Sequence, residues 1–242
     1  MLQINRLKRT FNNNQAGFQN INFTVDKGEI IGILGTSGCG KSTLLRVLSG
    51  LDPNYEGKIS SQEGKDTIGM MFQEPRLLPW LTVKDNISFG LEKEERKSNK
   101  YQTYLDLVGL TGFDHHYPKD LSGGMAQRTA IARALITDPE VLLLDEPFSA
   151  LDAFTKMQLQ DLLLSIWQKK QTTMLLVTHD IDEALYLCDR IFILKGQPGE
   201  VFAEVTVEKP KPRTRGDAYL SKQKAHILNL LNVEKKAAGD ER

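Results

Sequence analysis

A chain of 242 residues is long enough to bury a full core, so one large α/β domain, or a domain carrying an inserted subdomain, fits best. Basic and acidic residues balance at 31 each, which argues weakly against a nucleic-acid binder, and two cysteines do not suggest a disulfide framework and point to a reducing compartment. No apolar run approaches the ~18 residues that span a bilayer, and the start Met1-Leu2-Gln3-Ile4-Asn5-Arg6 lacks the apolar core of a signal peptide, so the chain alone is not expected to carry anything across a membrane.

Residues 2–7 alternate loosely and Ile21-Asn22-Phe23-Thr24-Val25 cleanly, on either side of the turn-rich Asn12-Asn13-Asn14-Gln15-Ala16-Gly17. This predicts an antiparallel β layer, with Asp26-Lys27-Gly28-Glu29 as a second turn. Ile30-Ile31-Gly32-Ile33-Leu34 predicts a buried strand, and Ser42-Thr43-Leu44-Leu45-Arg46-Val47-Leu48 has apolar residues at helical spacing. Between them lies Gly35-Thr36-Ser37-Gly38-Cys39-Gly40-Lys41-Ser42. Strand, glycine-rich turn and helix together make this a phosphate-binding loop rather than a chance string. The glycines let the backbone wrap closely, so that its N–H groups face phosphate oxygens. The helix start adds unpaired N–H groups and roughly half a positive charge. Lys41 is placed to reach the β- and γ-phosphates and Ser42 to hold Mg²⁺, with Thr43 beside it; a nucleoside triphosphate is the expected ligand. For Cys39 two readings stand, a thiol acidified by nearby N–H groups or a small residue that fits, and the second is preferred.

Gly50-Leu51-Asp52-Pro53 ends that helix, Tyr55 to Ser61 predicts a short strand, and Ile68 to Phe72 another, stopping at Gln73-Glu74-Pro75. From about Thr82 to Arg133 the pattern turns helical, and residues 80–130 are expected to form a helical insertion. Its charged stretch from Leu91 to Ser98 is a solvated face, and Tyr104 to Leu110 a short helix closed by Gly109. Strand and helix then alternate: Val141 to Leu144, Met157 to Trp167, Met174 to Val177, Ile181 to Leu187 and Ile191 to Leu194. A hairpin loop, Lys195 to Glu200, leads into Val201 to Val207. A final amphipathic helix covers about 217–231. We therefore expect residues 1–232 to form one α/β domain and 233–242 a flexible tail. His115, His116 and His226 have no carboxylate or cysteine cluster at metal-ligand spacing and are read as structural or solvated.

Leu142-Leu143-Leu144-Asp145-Glu146 puts two carboxylates at the end of a buried strand. In a phosphate-loop protein that strand is expected beside the loop strand. Asp145 is then suited to help hold Mg²⁺, and Glu146 to polarise the attacking water as a general base. Leu121-Ser122-Gly123-Gly124-Met125-Ala126-Gln127-Arg128 reads as a second anion-binding helix start, with the helix over 126–135.

Phosphate loop, serine–glycine signature and paired carboxylates, in this order, resemble the ATPase subunits of ATP-binding cassette (ABC) transporters over nearly the whole chain. The remaining marks follow in the family's order: Gln73 after a strand, Ser149-Ala150-Leu151-Asp152 after the carboxylates, and His179 after the next strand. Phe11 stands where the family places an aromatic on adenine. The resemblance implies the P-loop ATPase fold of that family, with a mixed or parallel sheet, an N-terminal antiparallel β subdomain and an inserted helical subdomain. It also implies a homodimer that sandwiches two ATP molecules, in which Ser122, Gly123 and Gly124 bind the γ-phosphate of ATP held by the second copy. Glu146, His179 and Gln73 then act on the attacking water, γ-phosphate and Mg²⁺, and Asp152 links the two sites.

Soluble cassette ATPases acting on DNA or ribosomes carry a coiled coil, zinc module or tandem cassette that is missing here, so transport is preferred. A stand-alone ATPase with a short helical insertion looks like a bacterial importer subunit on the cytoplasmic face of the membrane. Such a subunit works with two permease subunits and an extracytoplasmic solute-binding protein, and not with nucleic acid. Phe72-Gln73-Glu74-Pro75-Arg76-Leu77-Leu78-Pro79-Trp80 is similar to the nitrate, sulfonate and taurine importers, and lies where that family docks on its membrane subunit. Residues 125–128, 152–160 and 211–217 look most like the aliphatic sulfonate branch, with nitrate, taurine and pyrimidine-precursor importers open. Thr36 departs from the proline usual there.

Overall fold

The computed structural model describes residues 1–11, 16–61 and 67–237. The turn at Asn12–Gln15 and the last five residues of the expected tail lie outside them. The chain divides into two compact units, Met1–Ser60 with Leu176–Arg242, and Ser61–Leu175.

In the first unit, strands β1 (Leu2–Thr10) and β2 (Ala16–Val25) pair antiparallel, and β4 (Glu56–Ser61) joins the other edge of β1. This is the β layer expected from the alternation of residues 21–25. A second layer holds β3 (Ile30–Gly35), buried along its whole length, paired in parallel with β8 (Arg190–Lys195), which pairs antiparallel with β9 (Glu200–Thr206). The Phe23 ring of β2 stacks on Phe192 of β8 at 4.8 Å between centroids, tying layer to layer. Helix α1 (Lys41–Leu48) presents Leu44, Leu45, Val47 and Leu48 to the interior. Helix α6 (Ile181–Leu187) ends under Arg213, whose guanidinium donates to the carbonyls of Leu185 and Cys188 at 2.9 and 2.7 Å. That side chain satisfies the orphan acceptors of a helix C-terminus with a cation, the sign the helix dipole favours. Helix α7 (Ala218–Ala237) packs on α6, and Lys224 reaches Asp182 at 2.6 Å.

In the second unit, β5 (Ile68–Met71) pairs in parallel with β6 (Val141–Asp145), every residue of which is buried, as an apolar run without alternation requires. The strand after β6 is β7 (Thr173–Thr178). The neighbours of β6 are β5 and β7, and those of β3 are β7 and β8. The carboxylate strand therefore does not lie directly beside the loop strand, and that expectation is corrected. The apolar run of β7, fully buried, makes it as much a central strand as β6, so hydropathy alone could not order the two.

The helical stretch contains α2 (Val83–Ile87), α3 (Lys100–Leu107) and α4 (Gly123–Leu135), followed beyond β6 by α5 (Ala153–Lys170). Thr82 caps α2 by accepting from the Asp85 N–H, and the carbonyls of His116 and Asp114 take the N–H groups of Val83 and Lys84 at 2.8 and 3.0 Å. The two-histidine loop thus closes a helix end. His115 itself is solvated and touches Asp114. Gly109, at φ +68°, ends α3, and Arg128 of α4 donates to the Val108 carbonyl there.

Asp138, in the turn between α4 and β6, accepts from Lys170 at 2.7 Å, pairs with Lys100 at 3.0 Å and is bonded by the Tyr104 hydroxyl. Burial opposes its ionisation, but the Lys170, Tyr104 and Lys100 hydrogen bonds outweigh that and hold its carboxyl at about 2. A carboxyl depressed on folding stabilises fully above its unfolded value and loses that contribution as pH falls toward the folded one. Because the side chain is half exposed, we expect Asp138→Asn to cost about 1 kcal/mol at neutral pH, well under the full linkage value. Urea midpoints should show the gap between wild type and variant closing from about pH 4 to about pH 2. A pH-independent gap would assign the cost to packing instead.

Candidate nucleotide site

The phosphate loop lies in the first unit. Its loop follows β3 and runs into α1 through Gly40, which adopts φ +90° and leaves the helix start without a side-chain cap. A Cβ on Gly40 would stand 2.2 Å from the Gly17 carbonyl oxygen, so no larger residue fits. Thr36, Ser37 and Gly38 are exposed, Ser42 and Thr43 half-buried. Lys41 is buried, and its Nζ donates to the carbonyls of Gly35 and Thr36 at 2.8 and 3.0 Å, which fixes the ammonium across the loop backbone. Phe11 is partly exposed; its ring lies 3.1 Å from where a Gly17 Cβ would stand, and that same point is 3.4 Å from Thr43. The ring is therefore near the start of α1, with the Arg9 guanidinium over its face at 4.6 Å. His179, also in this unit, is exposed at the end of β7 and directly precedes Asp180, the cap of α6.

Cys39 is fully buried against this loop. Burial pushes its thiol up, against the pull of the Lys41 charge. Burial thus favours the reading of Cys39 as a small residue that fits.

The second unit carries the other candidates. Ser122 caps α4 by accepting from the Met125 N–H at 3.3 Å, so the helix starts at Gly123, three residues before its expected start. The first turn holds no acidic side chain that would oppose an anion at the positive end of the helix. Gly124 is required for packing: a Cβ there would stand 2.6 Å from the Thr155 Cγ2, so signature and α5 start are in contact. Asp152 is exposed and caps α5, accepting from Phe154 and Thr155 at 3.1 and 3.0 Å; the bonds from Thr155 hold its carboxyl below the usual range. Its place in the fold is thus first a helix cap.

Asp145 ends β6, buried. Glu146 follows, half-buried, with φ +44° immediately before Pro147, a backbone conformation that ordinary residues avoid. Gln73 is exposed, two residues past β5. Its carbonyl and that of Pro147 both accept from Gln127 of α4. Asn86, fully buried, holds the loop ahead of α2: its Oδ1 accepts from the Leu78 N–H at 2.8 Å, and its Nδ2 reaches the carbonyls of Leu78, Leu81 and Thr82 at 3.1, 3.0 and 3.0 Å. Trp80 on this loop is 70% exposed. Sequence reasoning missed Gln127 and Asn86, although an uncharged amide among helix-spaced apolar residues was a usable signal for each.

A family model described as ABC transporter matches residues 18–149, which spans the phosphate loop, signature and carboxylates. The chain belongs to the ABC transporter ATPase family. It is therefore a nucleotide-binding ATPase whose turnover is coupled to transport. An aliphatic sulfonates import ATP-binding protein, SsuB of Bacillus cereus, is 45% identical over 236 residues, 94% of each chain. SsuB 2 of Pseudomonas syringae pv. tomato is 50% identical over 213 residues, 88% of this chain and 90% of that protein. Among solved structures, the ATP-binding cassette MJ0796, in a dimeric post-hydrolysis state bound to ADP and Pi, is 31% identical. The match covers 87% of this chain and 100% of that one, with a TM-score of 0.75. The cbiO1 subunit of Clostridium perfringens matches all of this chain and 98% of its own, with a TM-score of 0.78 and 25% identity. The α/β architecture is that of the ABC ATPase cassette.

Among the described residues, no helix is long and apolar enough to cross a membrane, and no group of three or more His, Cys, Asp or Glu could hold a metal ion. The hydroxyl of Ser42 and the carboxylate of Asp145 are hard oxygen donors, the kind Mg²⁺ takes in small number while phosphate supplies others.

Proposed function

We propose that this chain is the ATP-hydrolysing subunit of a bacterial importer for a small anionic solute, namely aliphatic sulfonates. The observation that carries the solute is the naming of relatives 45–50% identical across about nine-tenths of both chains. Residues 1–232 act as one cassette, with the helical insertion over about 80–130. Lys41, Ser42, Thr43 and the backbone from Gly35 to Gly40 hold the triphosphate, and Phe11 packs on the base. Ser42, Asp145 and Gln73 hold Mg²⁺, which when bound neutralises phosphate charge. Glu146 takes the proton of the attacking water, and His179 donates to the γ-phosphate.

A second copy supplies Ser122, Gly123 and Gly124 to that γ-phosphate, a role suited to a helix start without acidic side chains, and Asp152 faces the opposite site. The dimeric state of the MJ0796 cassette supports this arrangement. Two permease subunits anchor the pair at the cytoplasmic face of the membrane, and an extracytoplasmic solute-binding protein delivers the cargo. The exposed Trp80 supports a docking partner there.

The test is ATP turnover in proteoliposomes that contain this chain with its membrane subunits and binding protein. Alkanesulfonates without an amino group are expected to stimulate turnover several-fold, and nitrate or the aminosulfonate taurine not. Stimulation by nitrate or taurine alone would overturn the sulfonate reading and leave the importer.

A further inference from the structure

We propose that Gln127 is a positioning residue that fixes the backbones of Gln73 and Glu146 together, through one amide. The inference rests on the roles given above to those two residues. Gln127 is fully buried on α4, and its Nε2 donates to the Gln73 carbonyl at 3.0 Å and to the Pro147 carbonyl at 3.1 Å. Its Oε1 has no hydrogen-bond partner among the described residues. The amide cannot be turned over, because Oε1 would then face two carbonyl oxygens. An orphan buried acceptor is unfavourable, so a residue that only filled space here would be better apolar. What the amide provides is two donors at one point, joining two chain segments far apart in sequence.

Both segments need holding. Glu146 has φ +44° before a proline, and its carbonyl accepts from the N–H and hydroxyl of Ser149 at 3.2 and 3.1 Å. With Gln127 on the next carbonyl, two successive peptide units are fixed. The carboxylate then projects from a backbone that has little freedom. On the other side, Arg133, also on α4, donates to the carbonyls of Pro75 and Arg76 at 2.6 and 2.9 Å. Residues 73–76 are thus bound to α4 at both ends, and of the two α4 side chains Gln127 also reaches Pro147. A displacement of the segment that continues to Trp80 is passed through this amide to Glu146 as well as to α4, whose first turn carries Ser122.

Gln127→Met keeps the volume, removes both donors and removes the orphan acceptor. In the full chain, kcat for ATP is expected to fall about 10- to 100-fold, the cost of a misplaced reacting group, with KM within about twofold. Thermal melting should stay near wild type. Amide hydrogen exchange should quicken together in residues 73–77 and 146–150. In a Glu146→Gln background, Gln127→Met should lower the residual turnover by a smaller factor than in the wild type, leaving only the part that acts through Gln73. An unchanged kcat, an equal loss in the Glu146→Gln background, or faster exchange in one segment only would overturn the tether. Normal turnover in Glu146→Gln alone would overturn the role of Glu146, and the exchange measurement would still decide the tether. Should Gln127→Met fail to fold, Gln127→Asn, whose shorter amide reaches one carbonyl at most, is read by the same measurements.

Discussion

Glu146→Gln is expected to bind Mg-ATP with near wild-type affinity and to lose about 10²- to 10⁴-fold in turnover, the range that a positioned general base supplies. The substitution keeps the shape and hydrogen-bonding reach of the side chain while removing its basicity. Its backbone, held at φ +44° between the buried Asp145 and Pro147, is indifferent to the exchange. In the proposed site, grip on the nucleotide comes from other residues, Lys41 and the loop, so binding is expected to survive. With hydrolysis stalled, an ATP-dependent dimer should accumulate. Single-turnover hydrolysis and size-exclusion chromatography with and without Mg-ATP measure both arms. Ordinary turnover would remove Glu146 as the base.

The second large effect is expected at the segment ahead of α2. Replacing Leu78 and Trp80 with polar residues should weaken assembly with the membrane subunits by at least about 30-fold, the equivalent of losing an aromatic hot spot of about 2 kcal/mol. ATP binding by the isolated chain should be unaffected. Trp80 is mostly exposed, so its removal leaves no cavity in the core; Leu78 is half-buried and its backbone is held by Asn86 regardless of side chain. Co-purification in detergent, alongside nucleotide titration, separates the outcomes. If assembly survives while ATP binding or folding fails, these residues are core and docking lies elsewhere.

What was legible in the sequence was what depends on near neighbours. The loop from Gly35 to Ser42 carries its own backbone requirements, and Val141 to Leu144 declares burial on both faces by having no polar alternation. The signature helix was placed three residues late because its cap, Ser122, was read for ligand binding and not for the Met125 N–H it also accepts. The order of β6 and β7 was not legible, since two fully buried strands with apolar centres and similar length compete equally for a central place. For Cys39 the sequence left two readings open because burial, which raises the thiol, is a tertiary property, while the N–H groups that would lower it are local. Gln127 and Asn86 act on carbonyls that the sequence does not mark at all.

Asn86 gives the loop ahead of α2 a further property. Four bonds from one buried amide to Leu78, Leu81 and Thr82 remove most of the loop's freedom during folding. Ordering a side chain or loop at an interface ordinarily subtracts about 0.5–1.5 kcal/mol per immobilised side chain from the free energy of association. A surface already ordered avoids much of that loss, so if the proposed docking holds, even a small contact centred on Trp80 would suffice to keep the membrane partner through repeated cycles of turnover. The same rigidity makes the loop a stiff lever, in which a push on the indole ring arrives at α2 as displacement and is not absorbed as local disorder.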